Sequence, residues 1–147
     1  MSRQWTYPAV VRRWSDGDTV RLDVDLGFGN WLHNAPFRLF GVNAPETHGR
    51  RDEKVAGLAV LAWCRELAPE GSVVEVTTFK DVHAVDRQDL YGRYLALIIL
   101  PDGSELNGRM VAEGYACAYD GVGRRPSWPW AGWRWPPGSE PLMEAAS

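Results

Sequence analysis

Two short segments of the chain concentrate residue types that bind phosphate groups and divalent cations. The first, DGDT at 16–19, places two carboxylates around a glycine, which serves either an ordinary turn or hard oxygen ligation of a cation. The second, FRLFGVNAPE at 37–46, carries Arg38 inside an apolar run and Glu46 after a proline turn. A buried arginine needs a partner, so Arg38 predicts either a structural salt bridge or a phosphate contact. By itself, Glu46 predicts only a solvated surface charge at the rim of a loop.

Two weaker candidates lie further along the chain. The segment DRQDLYGR at 86–93 leads from a polar loop into a strand and ends on Arg93. Asn107, in a short predicted helix, is either a surface amide or a buried side chain that binds a loop. Each motif is weak alone, but together with Asp18, Arg38, Asn43 and Glu46 they indicate a functional site, because most of these positions lie at or beside the ends of predicted strands.

The elements that position these residues follow from the spacing of apolar side chains. Between 20 and 26, apolar and polar residues alternate, which is the pattern of a half-buried strand. Between 52 and 67, apolar residues recur at helical spacing behind an acidic first turn. Gly114 has the position of a glycine that ends a second helix. The predicted strands are 9–14, 20–26, 36–42, 72–79 and 94–100, and the predicted helices are 52–67 and 105–114.

This order of elements predicts a mainly β fold with helices (α+β). Short strands in the order strand–strand–strand–helix–strand–strand–helix are typical of a five-stranded OB-fold barrel with two flanking helices. We expect this barrel domain over residues 1–120 and an irregular, Trp/Pro-rich C-terminal tail over residues 121–147. Half of the eight tryptophans fall in the tail. The tail either covers apolar surface with its indoles, stacks on unpaired bases with arginines nearby, or binds a partner.

Composition limits the classes of function. A chain of 147 residues with 45% apolar and 24% charged residues suits one globular domain rather than a disordered segment. Its formal net charge of −3 argues against strong passive coating of DNA, although a local basic groove is compatible with that charge. Cys64 and Cys117 predict two free, partly buried thiols in a reducing compartment. The sequence shows neither an apolar leader nor a membrane-length segment, so we expect a cytoplasmic protein with no signal peptide and no membrane contact.

The motifs form an ordered set, VxxxxDGDTV, FRLxGVNAPE, DxYGR and LNGxMVxEGYA, over about residues 9–120. This set resembles the staphylococcal nuclease (thermonuclease) family. The resemblance implies an OB barrel and calcium-dependent cleavage of phosphodiester bonds in DNA and RNA, and we expect single-stranded or frayed substrates and a monomer. The segment DLGFGNW at 25–31 is similar to an insertion of phage and bacterial members, which suggests such an origin.

The resemblance also implies roles for individual residues. It gives phosphate binding to Arg38 and Arg93, and the part of general base toward the attacking water to Glu46. It implies that three residues bind the metal, and that one of them, Ala44, does so through its backbone carbonyl. Loop residues are implied to contact the terminal phosphate and the nucleotide. The metal set is Asp18, Asn43 and Ala44, and the loop residues are Asp89 and Tyr91.

Asn43 departs from the family pattern, where a metal-binding aspartate stands. An amide oxygen still ligates calcium, but the loss of one negative charge weakens binding. The site is then active with weaker affinity or with another divalent cation, or is active because Asp16, Asp23 or Asp25 compensates, or is degenerate. We therefore expect a calcium-dependent, sugar-nonspecific endonuclease. The alternatives are a catalytically weak or inactive single-stranded nucleic-acid-binding module and a structural or partner-binding phage protein.

Overall fold

The alternating segment 20–26 forms a strand whose first three apolar side chains are almost fully buried, in a computed structural model that describes residues 3–80, 88–89 and 91–139. Val20, Leu22 and Val24 point into the core, whereas Leu26 near the strand end is 44% exposed. The polar residues between them face outward, as the period of two predicted.

The described chain contains seven strands and two α-helices. The strands are β1 (Arg3–Asp16), β2 (Thr19–Gly27), β3 (Asn30–Leu39), β4 (Val42–Asn43), β5 (Val73–Lys80), β6 (Tyr94–Ile99) and β7 (Cys117–Ala118), and the helices are α1 (Arg51–Leu67) and α2 (Leu106–Ala112). Neither helix is long and apolar enough to cross a membrane in the part of the chain that the structure describes.

Five strands close into a barrel in the order β1-β2-β3-β6-β5, with β5 returning to β1. All neighbouring pairs are antiparallel except β3 and β6, which run parallel. A separate two-stranded sheet joins β4 to β7. The predicted α+β class, with a five-stranded barrel and two flanking helices, is confirmed. Closure leaves the barrel without an open sheet edge, and the core fills its interior.

The third strand differs from its prediction at both ends. It begins at Asn30 rather than Pro36, because the segment 30–34 pairs with β2 in a hairpin although its side chains are exposed and carry no burial alternation. It ends at Leu39 because Gly41 adopts φ +78° and turns the chain before β4. The residues read as an insertion therefore lengthen the β2–β3 hairpin.

Both predicted helices are present, within one or two residues of the predicted limits at most ends. The indole of Trp14 in β1 donates to the carbonyl of Ala68 just after α1 at 3.0 Å, which fixes that helix end to the barrel. Gly114 follows the C-cap of α2 with φ +85°, as predicted. Asn107 is buried and its amide group bonds Ile98, Phe40 and Ala96, so the loop- and strand-binding interpretation holds.

The tail folds back on the domain over residues 121–139, and residues 140–147 lie outside the described part. Its four indoles meet edge to face around Trp133, with ring centroids 5.5–6.2 Å apart. Trp133 packs against the hydrophobic core, and the backbone amide of Arg134 donates to the carbonyl of Gly114 at 3.2 Å. These contacts support the interpretation that the indoles cover apolar surface. The division into domains at residue 120 stays a prediction.

Candidate active site

Asp18 occupies the turn between β1 and β2, and only 5% of it is exposed. Its Oδ2 accepts a hydrogen bond from the backbone amide of Ala44 at 3.0 Å, and its Oδ1 accepts one from the hydroxyl of Thr19 at 3.2 Å. The turn can approach α1 because residue 17 is glycine, where a Cβ atom would lie 2.6 Å from Cγ1 of Val60. The DGDT pattern thus forms a turn and also buries a carboxylate against the segment that follows β4.

Arg38 lies near the end of β3 with a buried side chain. Its Nη1 donates to the carbonyls of Leu39 at 3.2 Å and Val42 at 3.0 Å, and its Nη2 lies 3.6 Å from Oδ2 of Asp18. The structural salt bridge that the sequence offered as one alternative is therefore present. Phosphate binding by Arg38 stays a prediction.

The backbone of Glu46 is fixed at the cavity by contacts with α1. Its amide donates to Oε2 of Glu53 in α1 at 3.0 Å. The helix lies directly against this segment because residue 57 is glycine, where a Cβ atom would lie 2.4 Å from the carbonyl oxygen of Glu46. The Glu46 carboxylate itself is 49% exposed, so water can reach it.

Arg93 precedes β6 and is oriented by its own turn. Its Nε donates to Oδ2 of Asp89 at 2.6 Å, its Nη1 donates to the hydroxyl of Thr19 at 3.1 Å, and its guanidinium lies 5.3 Å from the ring centre of Tyr91. Tyr91 is 82% exposed. Asp89 and Tyr91 thus contact Arg93, while their predicted contacts with a nucleotide stay predictions. Residues 81–87 and 90, which include part of the DRQDLYGR motif, lie outside the described residues.

Arg125 in the tail is the site residue that the sequence did not reveal. Its Nε and Nη2 donate to Oδ1 of Asn43 at 2.9 and 2.5 Å, and its Nη1 donates to Oε1 of Glu46 at 2.7 Å. Its Nη2 also lies 3.7 Å from Oδ2 of Asp18. The sequence signal for it is slight, since Arg125 stands in an Arg124-Arg125 pair before Pro126 in a segment whose pattern is dominated by tryptophan and proline.

Asp18, Glu46, Arg93 and Arg125 meet at a cavity of about 140 Å³, whose lining does not include Arg38, Asp89 or Tyr91. A second cavity of about 280 Å³ adjoins it and shares Glu46 and Arg125. Both contain acidic and basic groups, which suits a ligand that carries phosphate charge together with a cation. The first is lined by Asp16, Asp18, Ala44, Pro45, Glu46, His48, Arg93 and Arg125, and the second by Asn43, Glu46, Arg50, Glu53, Arg125, Pro126, Ser127 and Trp128.

Of the three aspartates considered as compensation for Asn43, only Asp16 reaches the site. Asp16 lines the first cavity and accepts a hydrogen bond from the hydroxyl of Thr47. Asp23 is engaged at the β2–β3 hairpin, where the backbone amide of Asn34 donates to it at 2.8 Å. That hydrogen bond, with neighbouring positive charge, lowers the pKa of Asp23. Asp25 bonds an amide in its own turn, so neither can supply charge to the cavity.

Both cysteines are free thiols, as predicted, with Cys64 buried and Cys117 half-buried. The Cys64 thiol is fully buried and donates to the carbonyl of Gly17 at 3.6 Å. The Cys117 thiol donates to the carbonyl of Asn43 at 3.7 Å. Burial raises the pKa of both thiols, so each remains protonated and acts as a weak donor.

The oxygens at the site are of the kind that bind a hard cation, but their charge is low. Asp18 contributes one carboxylate, while Asn43 and Ala44 offer neutral oxygens. Within residues 3–80, 88–89 and 91–139, no group of three or more His, Cys, Asp or Glu side chains is placed to hold a metal ion. Oxygens of this kind suit a divalent cation of modest affinity, but metal binding by Asp18, Asn43 and Ala44 stays a prediction, and the guanidinium of Arg125 already lies among these residues.

The closed five-stranded barrel brings to one cavity the turn aspartate, the exposed glutamate and one of the two arginines that the sequence resemblance implied. The model of the family described as staphylococcal nuclease homologue matches residues 36–127. The chain belongs to this family. The matched range includes Arg38, Glu46, Arg93 and Arg125, begins after Asp18, and extends beyond the expected limit at residue 120.

One curated relative adds to this assignment. The chain is 28% identical over 124 residues to "Endonuclease YhcR" of Bacillus subtilis (strain 168). The alignment covers 80% of this chain but 9% of that protein, so the chain spans less than a tenth of its relative. The similarity therefore concerns a small part of a much longer protein.

Proposed function

We propose that this domain is a divalent-metal-dependent, sugar-nonspecific endonuclease that hydrolyses phosphodiester bonds in DNA and RNA. The observation that most supports this function is that Asp18, Glu46 and Arg93 line the same cavity. Family membership and the similarity to a protein named an endonuclease favour the same reaction.

Glu46 is the proposed general base. Its carboxylate is half-exposed beside the cavity, so it can take a proton from a water molecule there. The water oxygen then bonds to phosphorus, the bond from phosphorus to the leaving oxygen breaks, and that oxygen takes up a proton from solvent. A positioned base of this kind contributes about 10²- to 10⁴-fold to the rate.

The two proposed phosphate-binding arginines differ in their surroundings. Arg93 lines the cavity, and Asp89 and Thr19 hold its guanidinium in a fixed direction. It is suited to donate to phosphate oxygens as negative charge grows on them. Arg38 is buried behind Asp18 and bonds two carbonyls, so Arg93 is the stronger candidate for direct contact.

A divalent cation, calcium by analogy with the family, would be held by oxygens of Asp18, Asn43 and Ala44. When bound, such an ion polarises a phosphoryl oxygen and orients the attacking water. The neutral amide at position 43 predicts weaker binding than a carboxylate would give.

The proposed substrate range follows from the groups that face the cavities. Among the described residues, the first cavity presents charged groups suited to phosphate and a cation rather than groups arranged to read bases, which favours action on both DNA and RNA. Trp128 lines the adjoining cavity, where an unpaired base can stack, so single-stranded or frayed substrates are preferred. We expect the chain to act as a monomer.

A second candidate function is a nucleic-acid-binding module without catalysis. It is favoured by the bonds of Arg125 to Glu46 and Asn43, which engage the proposed base and one proposed cation ligand.

Cleavage assays separate the two candidates. The purified chain is incubated with fluorescent single-stranded DNA and RNA of one sequence in calcium, magnesium, manganese or EGTA. An endonuclease cuts both substrates with a divalent cation and neither in EGTA. Binding without cleavage in every cation establishes the second candidate, and absence of both binding and cleavage contradicts both.

A further inference from the structure

The strongest unassigned feature is the guanidinium of Arg125, which lies where the proposed function places a cation. It contacts three groups at once. Nε and Nη2 donate hydrogen bonds to the amide oxygen of Asn43, and Nη1 donates one to the Glu46 carboxylate at 2.7 Å. Nη2 also lies 3.7 Å from the Asp18 carboxylate. No family role that we carried over from the sequence falls on this residue.

Asn43 shows why a cation and Arg125 exclude one another. A side-chain amide oxygen has two lone pairs, and Arg125 donates to that oxygen through two separate N–H groups. An incoming cation therefore finds no free lone pair on Asn43 while Arg125 remains. A divalent ion beside Asp18 would also lie within a few ångströms of a guanidinium, and like charges at that separation repel.

The tail segment that carries Arg125 is fixed at its base and exposed at its tip. The amide of Tyr119 donates to the carbonyl of Gly41 at 2.9 Å, directly after β7 pairs with β4. Beyond that anchor, Gly121 and Gly123 adopt φ +84° and +76°, and Val122 is 76% exposed. The Arg125 side chain is 44% exposed, so it can move into solvent without disturbing the core.

We propose that Arg125 is an internal competitor for the divalent cation and that its release couples cation binding to activation of Glu46. The inference rests on the proposed function and deepens it, because it names a residue that sets cation affinity. In the free protein, Arg125 forms an ion pair with Glu46 and lies beside the Asp18 carboxylate, which Arg38 also contacts. A cation that binds to Asp18 and Asn43 would displace the guanidinium of Arg125. The Glu46 carboxylate then loses its hydrogen bond to Arg125 and is free to accept a proton.

Calorimetric titration of calcium into the protein without nucleic acid tests the competition. We expect Arg125→Gln to bind calcium about tenfold tighter than the parent, since several charge-assisted hydrogen bonds no longer need to break. Arg125→Lys keeps the charge but loses the forked geometry, and its affinity falls between the two. Arg124→Gln, which removes the same charge from the exposed neighbouring position, is the matched control and leaves the affinity unchanged.

Hydrogen exchange followed by mass spectrometry provides a second measurement on the unmodified chain. Calcium should increase exchange of backbone amides within 119–127, because the displaced arginine no longer ties this segment to the site. Protection of these amides by calcium would contradict displacement. Circular dichroism of each variant confirms that its fold is intact.

The outcomes distinguish this inference from the proposed function. Calcium affinity in Arg125→Gln that equals or falls below the parent's, with metal-dependent cleavage intact, overturns the inference alone. Failure of the parent and every Arg125 variant to bind any divalent cation overturns both the inference and the metal dependence of the proposed function. An equal gain in Arg124→Gln would reduce the effect to overall charge and would also overturn the inference.

Discussion

Replacement of Gly57 by alanine should damage the proposed reaction far more than the fold. A Cβ at this position lies 2.4 Å from the carbonyl oxygen of Glu46, and ordinary contact begins at 3.4 Å. The Glu46 backbone must therefore move by about 1 Å, because the helix backbone beneath it cannot yield in the way a flexible side chain does. A displacement of this size at a reacting group costs about 100-fold in rate.

The effect of Gly57→Ala on stability is small because two terms oppose one another. Overpacking against a backbone carbonyl costs about 1–3 kcal/mol. Alanine in place of glycine inside a helix raises the free energy of unfolding by about 1 kcal/mol through its higher helix propensity. We expect a net loss of about 0–2 kcal/mol, which lowers the midpoint of thermal unfolding by no more than about 8 °C.

Gly108 in α2 offers a matched control for this variant. There an added Cβ meets only the Oε1 atom of Glu105 at 3.5 Å, an ordinary contact. Gly108→Ala should raise the free energy of unfolding by about 0.5–1 kcal/mol and leave the cleavage rate unchanged. Both variants are compared by thermal unfolding and by initial rates on fluorescent single-stranded DNA. A folded Gly57→Ala protein that cleaves at the parental rate would refute the positioning of Glu46 by this helix.

Four further predictions concern residues in and near the site. Arg38→Ala should lower the free energy of unfolding, measured by urea denaturation, by about 3 kcal/mol because Asp18 loses a buried cation. Arg93→Ala should change the free energy of unfolding by less than about 1 kcal/mol but lower kcat/KM about 100-fold. A large loss of stability in Arg93→Ala, with a large loss of kcat/KM but not of stability in Arg38→Ala, would show that Arg93 is the structural arginine and Arg38 the one that contacts phosphate. Asn43→Asp, made together with Arg125→Gln so that no guanidinium competes, should tighten calcium binding about tenfold by calorimetry relative to Arg125→Gln alone, and unchanged affinity would show that position 43 does not contact the ion. Cys64 should react with a thiol reagent only on unfolding, since burial raises its pKa, so fast labelling of the native protein would contradict its burial.

The fold was predictable where apolar spacing repeats. The alternation in 20–26 and the helical spacing in 52–67 were sufficient because burial decides both elements. The early part of β3 was not predictable in this way, since its first five residues are exposed and carry no pattern of burial. Only pairing with β2 makes that segment a strand.

The candidate site was predictable where one short motif carries two linked functions. DGDT supplies both a turn and its buried carboxylate, and FRLFGVNAPE supplies Arg38 and Glu46 from one strand and its exit. Arg125 could not be predicted as a site residue because 82 residues separate it from Asn43 and its segment has no regular secondary structure. Gly57 was read only as part of a helix, although the close approach of Glu46 requires a residue without a side chain there.

Single-turnover cleavage by Glu46→Gln, with DNA affinity measured on the same samples, tests the central claim most directly. The substitution is nearly isosteric and retains an oxygen that can accept from Arg125, so the surrounding structure is preserved. We predict a rate about 10²- to 10⁴-fold below the parent in calcium, with little change in DNA affinity. Cleavage by Glu46→Gln at the parental rate would contradict the assignment of Glu46 as the general base and, with it, the proposed mechanism.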